Sequence, residues 1–554
     1  MPQNLIRKSI GILLARQTNI LSAAFIIMTT IILSQMLGLV RQRLLVGIFG
    51  ASNTLGVYLA SSRLPDLLFQ LIVASALVSS FIPVFSDYLS KNKSDEAHKM
   101  ASSLLAIGLV IFFILSIFLF VLAPFFLQIF NLGSGFSASQ MALMADLMRI
   151  VILGQLVFII GTFFSALLQS YNHFFIAGIA AVFYNVGIIT GILLFSRSFG
   201  IFAPAYGMII GALLFILIQF PMIRKVGFTF KPTLSFEVPG VMHVIRLMWP
   251  RTLTLSVFQL GTLATVTLIS FLSNPGRNYV IFDYAQTLAF APVALFGQAI
   301  AQAAFPVLSR EKEKMEEFKL TFITSFNQML YIVLPISVLF LVLRIPIVRL
   351  IYGASLFDWQ ATVLTGKMLA LFSISIFAQS LIALISRGFY ALFDTKTPLI
   401  IGTFTTVFFL CAGYISVLVF KLGVESIAVS YSIGAILNLV ISLLIFYKKI
   451  GGFGGIQLFF PVFKIFLASF LTGIALYVPI KLLDQLVFDT TRTINLIFLT
   501  GISSLSGLIL YLFLTWAFNV KEAKTFLLIF RKIGNWKEIL SRSDEIIDGA
   551  RLNP

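Results

Sequence analysis

Apolar runs of about 20 residues recur along almost the whole chain, more than any soluble fold can bury. Fourteen are read, at 20–47, 53–88, 100–124, 139–169, 175–196, 202–223, 241–273, 279–308, 318–343, 358–391, 398–420, 424–447, 461–483 and 492–518. Each is long enough to cross a hydrocarbon core about 30 Å thick, and the longest imply tilt, bending or extension past the bilayer. With 59% hydrophobic and 11% charged residues, the composition lies outside the soluble range. The expected class is an all-α polytopic membrane protein with about fourteen transmembrane helices. Met1 to Asn19 shows no cleavage motif before the first span, so no removable leader is read there.

One stretch has a second copy about 220 residues later. YLASSRLPDLLFQLIVASALVSSFIPVFS (Tyr58–Ser86) is echoed by YAQTLAFAPVALFGQAIAQAAFPVLS (Tyr284–Ser309), and a weaker echo links Leu167–Phe183 to Arg387–Phe404. Both copies carry a proline near the start and close on Phe, Pro and Ser (Phe81, Pro83, Ser86; Phe305, Pro306, Ser309). Six spans precede the second copy, and an even number returns the chain to the same side, so the copies run parallel. This predicts a first lobe at 1–230 (spans 1–6), a second at 231–450 (spans 7–12), spans 13–14 at 451–520 and a tail at 521–554. Duplicated bundles of this kind build carriers, in which two halves rock about a central site.

Lys and Arg set the expected orientation. With the N-terminus inside, inner segments hold Arg7, Lys8, Arg16, Lys91, Lys93, Lys99, Arg224, Lys225 and Lys231, and then Arg310 to Lys319 and Lys448 to Lys464. Outer loops hold few, such as Arg197, Arg277, Lys421 and Arg492. Both termini are therefore expected in the cytoplasm. The net charge of +18 follows from this topology; spread over many loops without a recognition module, it does not point to nucleic acid. The tail alternates basic and apolar residues and reads as an amphipathic helix on the inner leaflet. SREKEKMEEFK (309–319) mixes charges at helical spacing and reads as a solvated helix bridging the lobes.

Catalysis finds no support. The single cysteine, Cys411, lies inside a span and reads as a small core residue. His98, His173 and His243 lack ligand spacing, so no metal is expected. No nucleotide-binding or hydrolase motif is present, and no cofactor is expected. GGFGG (451–455) joins two spans and reads as a flexible linker.

Charges inside apolar spans demand an explanation, because each is costly away from water or a partner. Arg41 and Arg43 follow Gly38 in span 1; Arg63 and Asp66 flank Leu64-Pro65 in span 2; Arg251 follows Pro250 in span 7; Asp283 opens span 8. Each is a site candidate by default, on the first two helices of a lobe, where a central cavity would form. Arg43, Arg251 and Asp283 lie where a side chain can snorkel to an interface.

SQMLGLVRQRLLVGIFGAS (34–52), SSRLPDLL (61–68) and FIPVFSDYL (81–89) resemble the opening of the MurJ/MviN family of lipid II flippases. SALLQSYNHFFIAGIAAVFYNV (165–186) resembles that family's span 4–5 junction, and RGFYALFDTKTPLIIG (387–402) its span 10–11 junction. The likeness runs through most of residues 20–450 in order, and spans 13–14 fit a family that adds two helices to a twelve-helix core. It implies membership of the multidrug/oligosaccharidyl-lipid/polysaccharide exporter superfamily and a transporter working by alternating access in the bacterial cytoplasmic membrane. The implied partner is a polyprenyl-diphosphate-linked glycan lipid, lipid II first, handled by a monomer among membrane lipids, with spans 13–14 as a groove for the tail. The basic family positions at Arg41 and Arg63 are kept, whereas Gln35, Gly56, Gln70 and Thr287 stand where the family usually has a charge. The implied binding set is Arg41, Arg63, Gln35, Asp66, Gln70, Arg251 and Thr287, with Arg251 adding positive potential from the second lobe. Those missing charges leave open another polyprenyl-linked glycan. A cation-coupled drug antiporter and a non-transporting scaffold stand behind both. Span 11 contains no carboxylate, which gives no support to a sodium site of acidic side chains there.

Overall fold

A computed structural model describes residues 20–74, 80–129, 135–354, 356–453, 455–482 and 493–523, and every regular element among them is helical. In chain order the first elements are α1 (Ile20–Phe49), α2 (Asn53–Ser61), α3 (Arg63–Phe69), a π turn (Gln70–Ala74), α4 (Ile82–Ser90), α5 (Ser94–Val121) and α6 (Ala123–Ile129). There follow α7 (Ala138–Ser170), α8 (Phe174–Phe199), α9 (Ala203–Lys225), α10 (Val241–Ser270) and α11 (Pro275–Pro292). After a π turn at Val293–Gly297 come α12 (Gln298–Glu311), α13 (Met315–Val342), α14 (Arg344–Tyr352), α15 (Trp359–Ala391) and α16 (Lys396–Tyr414). A third π turn (Ile415–Val419) leads to α17 (Glu425–Lys449), α18 (Gly455–Leu482) and α19 (Thr493–Ala517).

Eleven stretches among the described residues are long and apolar enough to cross a membrane. One of them, Phe174–Lys225, turns back on itself at Gly200, whose φ of +54° is open to glycine, so it holds two of the expected runs. The run expected at 241–273 is helical over Val241–Ser270, and that at 53–88 is helical in several short pieces with a break at Ser62. The tail beyond Ala523, including its expected amphipathic helix, lies outside the described residues.

The α8–α9 hairpin shows how the chain packs without help from water. Apolar surface gains little by leaving lipid, so contacts between spans depend on close van der Waals fit and small residues. Two GxxxG pairs supply it. A methyl group added at Gly187 would lie 2.3 Å from Gly211 Cα, and one at Gly191 would lie 2.2 Å from Gly207 Cα. Beside this hairpin the buried Gln219 is fully engaged: it accepts from Ser165 Oγ at 2.9 Å and donates to the carbonyls of Phe215 at 2.7 Å and Gly161 at 3.1 Å. The start of α7 carries a capping box, Ser137 with Gln140.

The duplication is visible in the backbone. Positive φ recurs at Gly50 and Asn274, at Asn172 and Phe393, at Gly200 and Lys421, and at Gly227 and Gly451, the members of each pair 221 to 224 residues apart. Two of the π turns, Gln70–Ala74 and Val293–Gly297, share that spacing. At the second, Pro292 has no N–H to give to the helical ladder, which favours a local widening of the turn.

The helices group into two compact units. One comprises residues up to Tyr284 with 351–365 and 406–430; the other comprises 285–350, 366–405 and 431 onward. The first has a core around Phe81, Phe85, Phe112, Phe163 and Phe228, with the Phe81 and Phe163 rings 5.0 Å apart. The second centres on Phe446, whose ring lies 4.7 Å from that of Phe322 and 4.9 Å from that of Phe389. Gly388 makes room for it: a Cβ there would lie 2.6 Å from the Phe446 ring. In the same unit α18 and α19 pack on α13, where the buried Tyr511 hydroxyl donates to the Tyr331 carbonyl at 2.8 Å. Their other faces expose Phe459, Phe463, Phe470, Phe513 and Trp516, as suits contact with lipid.

Segment 309–319 is not the continuous helix expected. α12 ends at Glu311 and α13 begins at Met315, with Lys314 in a non-helical conformation. The charge spacing is used locally instead, in the Lys314–Glu317 and Lys319–Glu316 ion pairs. At the α15–α16 turn, Asp394 accepts from the Thr397 backbone N–H at 3.0 Å and the Thr397 hydroxyl at 2.7 Å, and pairs with Lys449. Burial pushes this carboxyl up, but the Lys449 and Thr397 hydrogen bonds outweigh it and bring its pKa down to about 2.

Candidate functional site: an ionisable cluster walled by tyrosines

Span 2 breaks at Ser62, so Arg63 begins α3 and Asp66 follows one turn later on the same face. Arg63 donates from Nε to the Tyr279 hydroxyl and from Nη2 to Asp283 Oδ1. The guanidinium also sits over the Tyr279 ring, 5.5 Å from its centroid. The Arg63 and Asp283 side chains are only 23% and 16% exposed, so the pair is largely withdrawn from water. Tyr279 and Asp283 are four residues apart on α11 and reach Arg63 from one face of that helix. Asp66 is held by Gln155 of α7, whose Nε2 donates to Oδ1 at 2.7 Å.

Arg41 of α1 is half-buried and lies within electrostatic range of Tyr58, Tyr184 and Tyr284. Tyr58 and Tyr184 also feel Asp66, and Tyr284 feels Asp283. Arg41, Arg63, Asp66 and Asp283 therefore share one neighbourhood lined by tyrosine hydroxyls. The quartet itself sets two cations against two carboxylates.

Beside it, α1, α2, α11 and α14 close tightly. The Tyr352 hydroxyl donates to Gln42 Oε1 at 2.9 Å, and the Tyr284 and Tyr352 rings lie 4.7 Å apart. Arg43 donates to the Ile351 carbonyl at 3.2 Å. Gly56 meets Gly276 backbone to backbone: a Cβ at Gly56 would lie 2.1 Å from the Gly276 carbonyl oxygen. The Arg277 backbone N–H donates to Asn53 Oδ1 at 3.0 Å, and its guanidinium pairs with Asp358 at 2.9 Å.

Of the residues expected to bind substrate, the structure brings Arg41, Arg63 and Asp66 together. Gln35 is exposed on α1, and Gln70 is half-buried at the first position of a π turn. Thr287 is one turn beyond Asp283 on α11 and is half-buried within the second unit. Arg251 belongs to α10, and its side chain lies outside the described part. Asp283 is paired with the Arg63 guanidinium and largely withdrawn from water. Sequence reasoning passed over Tyr279 and Gln155. Tyr279 had a signal in its i, i+4 spacing to Asp283; Gln155, a lone amide among apolar residues, had none.

A family model described as lipid II flippase MurJ matches residues 45–529. Among curated relatives, a probable lipid II flippase MurJ of Thermotoga maritima is 29% identical over 74% of this chain and 81% of its own length. One of Buchnera aphidicola is 27% identical over 84% and 91%, and the lipid II flippase MurJ of Burkholderia cenocepacia is 26% identical over 75% and 81%. Among solved structures, a lipid II flippase MurJ in an inward closed conformation superposes with a TM-score of 0.73 at 23% identity, covering 89% of this chain and 98% of that one. A multidrug resistance MATE family transporter of the MOP superfamily gives 0.63 at 14% identity, covering 76% and 94%, and shares the fold. The match to the family model spans most of the sequence, and the chain belongs to the lipid II flippase MurJ family.

Proposed function

We propose that this protein translocates lipid II, a polyprenyl-diphosphate-linked peptidoglycan precursor, from the inner to the outer leaflet by alternating access. The observation that carries the reading is the cluster of Arg41, Arg63, Asp66 and Asp283, with Arg41 and Asp283 on helices long and apolar enough to cross a membrane, in a chain of the flippase family. Charge at that depth is kept for a polar cargo. Arg41 and Arg63 are the residues suited to the diphosphate, since a guanidinium can present two parallel donors to a phosphate. Asp66, Gln70, Gln35 and Thr287 offer neutral or acidic contacts to the sugar, and Arg251 offers a further cation. The tail stays in the bilayer against spans 13–14, whose apolar faces support that role. Helices of the first repeat rock against those of the second, with both termini in the cytoplasm. Membrane potential acting on the cavity arginines would supply about 2.3 kcal/mol per charge per 100 mV.

A second reading, transport of another polyprenyl-linked glycan, is favoured by the missing charges at Gln35, Gln70 and Thr287. Complementation separates the two. If the gene sustains peptidoglycan synthesis and growth in a bacterium depleted of its own lipid II flippase, the first reading stands. Failure to do so, with the protein present in the membrane, overturns it.

A further inference from the structure

We propose that Asp283 is a built-in stand-in for the substrate's phosphate: it occupies Arg63 in the empty protein, and the incoming diphosphate displaces it. The inference deepens the functional reading above and rests on it. Three observations lead to it. The Arg63 guanidinium is already engaged on two sides, by Asp283 and by the Tyr279 hydroxyl, in a largely buried setting. Within the quartet of Arg41, Arg63, Asp66 and Asp283 the charges balance, so Arg63 presents its full charge to a diphosphate only when Asp283 withdraws. Asp66 is pinned by Gln155 at 2.7 Å on a third helix, which leaves Asp283 as the carboxylate free to yield.

The geometry also gives the exchange a consequence. Arg63 belongs to the first copy of the repeat and Asp283 immediately precedes the second on the helix that leads into it, so their pair fastens α3 to α11. It sits on the same helices as the Gly56–Gly276 contact and the Asn53–Arg277 hydrogen bond. When phosphate takes Arg63, that fastening is lost, and the neighbouring contacts lose a support only when cargo is aboard. Asp283 is thus a positioning residue that ties release of α11 to occupancy of the head-group site.

The test uses the full-length protein in detergent and in proteoliposomes, with lipid II as ligand and inorganic diphosphate as competitor. Asp283→Asn should bind lipid II about fivefold or more tightly than the native protein, as expected when a competing internal partner is removed. Opening is read separately, with Asn53→Cys and Arg277→Cys introduced into a Cys411→Ala background and joined by a short bifunctional thiol reagent. Cross-linking should fall on adding lipid II, and Asp283→Asn should lower it without ligand. The exchanged pair Arg63→Asp with Asp283→Arg should restore ligand-free cross-linking but not native affinity. Unchanged affinity and cross-linking in Asp283→Asn, or reduced stability alone, overturns the role while leaving the functional reading intact. Absence of lipid II binding by the native protein overturns the functional reading and this role with it.

Discussion

Gly187 and Gly211 face each other with no room between them: a methyl group on the first would lie 2.3 Å from the second's Cα. The obstruction is backbone, so no rotamer change can relieve it. Gly187→Leu should therefore lower the amount of folded protein in the membrane and its thermal stability, by about 1–3 kcal/mol or more. Gly108→Ala, where a Cβ meets nothing within 4 Å, is the matched control and should behave as native. Fluorescence-detected size exclusion after heating would compare the two.

Arg41 and its replacements address the head group. Losing a charge-assisted contact to phosphate removes roughly 1.5–3 kcal/mol, which at about 1.4 kcal/mol per decade lowers affinity some ten- to hundredfold. Arg41→Ala should abolish flipping without reducing protein in the membrane, and Arg41→Lys should restore only part of it. Normal transport by Arg41→Ala in a reconstituted flipping assay would remove Arg41 from the site.

Restoring family charges should succeed at one position and fail at another. Gln35 is exposed on α1, so Gln35→Arg should be accepted and leave expression unchanged. Gly56→Arg should not, because even a Cβ would lie 2.1 Å from the Gly276 carbonyl oxygen. Membrane abundance and growth complementation of the two variants, measured together, check this.

Asp394 gives a pH dependence with a definite sign. Its folded pKa of about 2 lies below the ordinary value of 3.8, so its ionised form stabilises the fold at and above the ordinary value. That contribution declines as pH falls through 3.8 and is lost below about 2. Asp394→Asn should lower stability at pH 7 by roughly 1 kcal/mol, since the lysine partner is partly solvated. The gap to the native protein should narrow as pH falls through that window. A gap independent of pH in thermal unfolding of the detergent-solubilised protein would contradict the assignment.

The helical class, the repeat and the spans were legible because each is written in local pattern: length of apolar run and spacing of prolines. Arg41, Arg63 and Asp66 were legible for a related reason, as charges where charge is costly. What the chain does not spell out is pairing across long separations. Asp283 is 220 residues from Arg63, and nothing near either names the other. The break at Lys312–Lys314 was missed because charge spacing alone does not tell one helix from two short turns sharing local ion pairs. Gly56 stood out as a missing charge, while its cause, the backbone of Gly276, lies in a distant helix.

The π turn at Val293–Gly297 carries a consequence for how such a helix can change. An α-helix advances about 100° per residue, so a deletion ordinarily turns everything beyond it to a new face, and a widened turn already holds one residue in excess. Deleting that residue would therefore keep the flanking faces in register, whereas tightening the turn to α with the sequence unchanged would leave Pro275–Glu311 continuous while swinging Gln298–Glu311 by about 100° relative to the stretch bearing Asp283 and Thr287. The first copy holds the same surplus at Gln70–Ala74, downstream of Arg63 and Asp66. Each copy therefore contains a point of rotational adjustment, at which the half of the span bearing polar residues can be re-aimed without rebuilding the half beyond it.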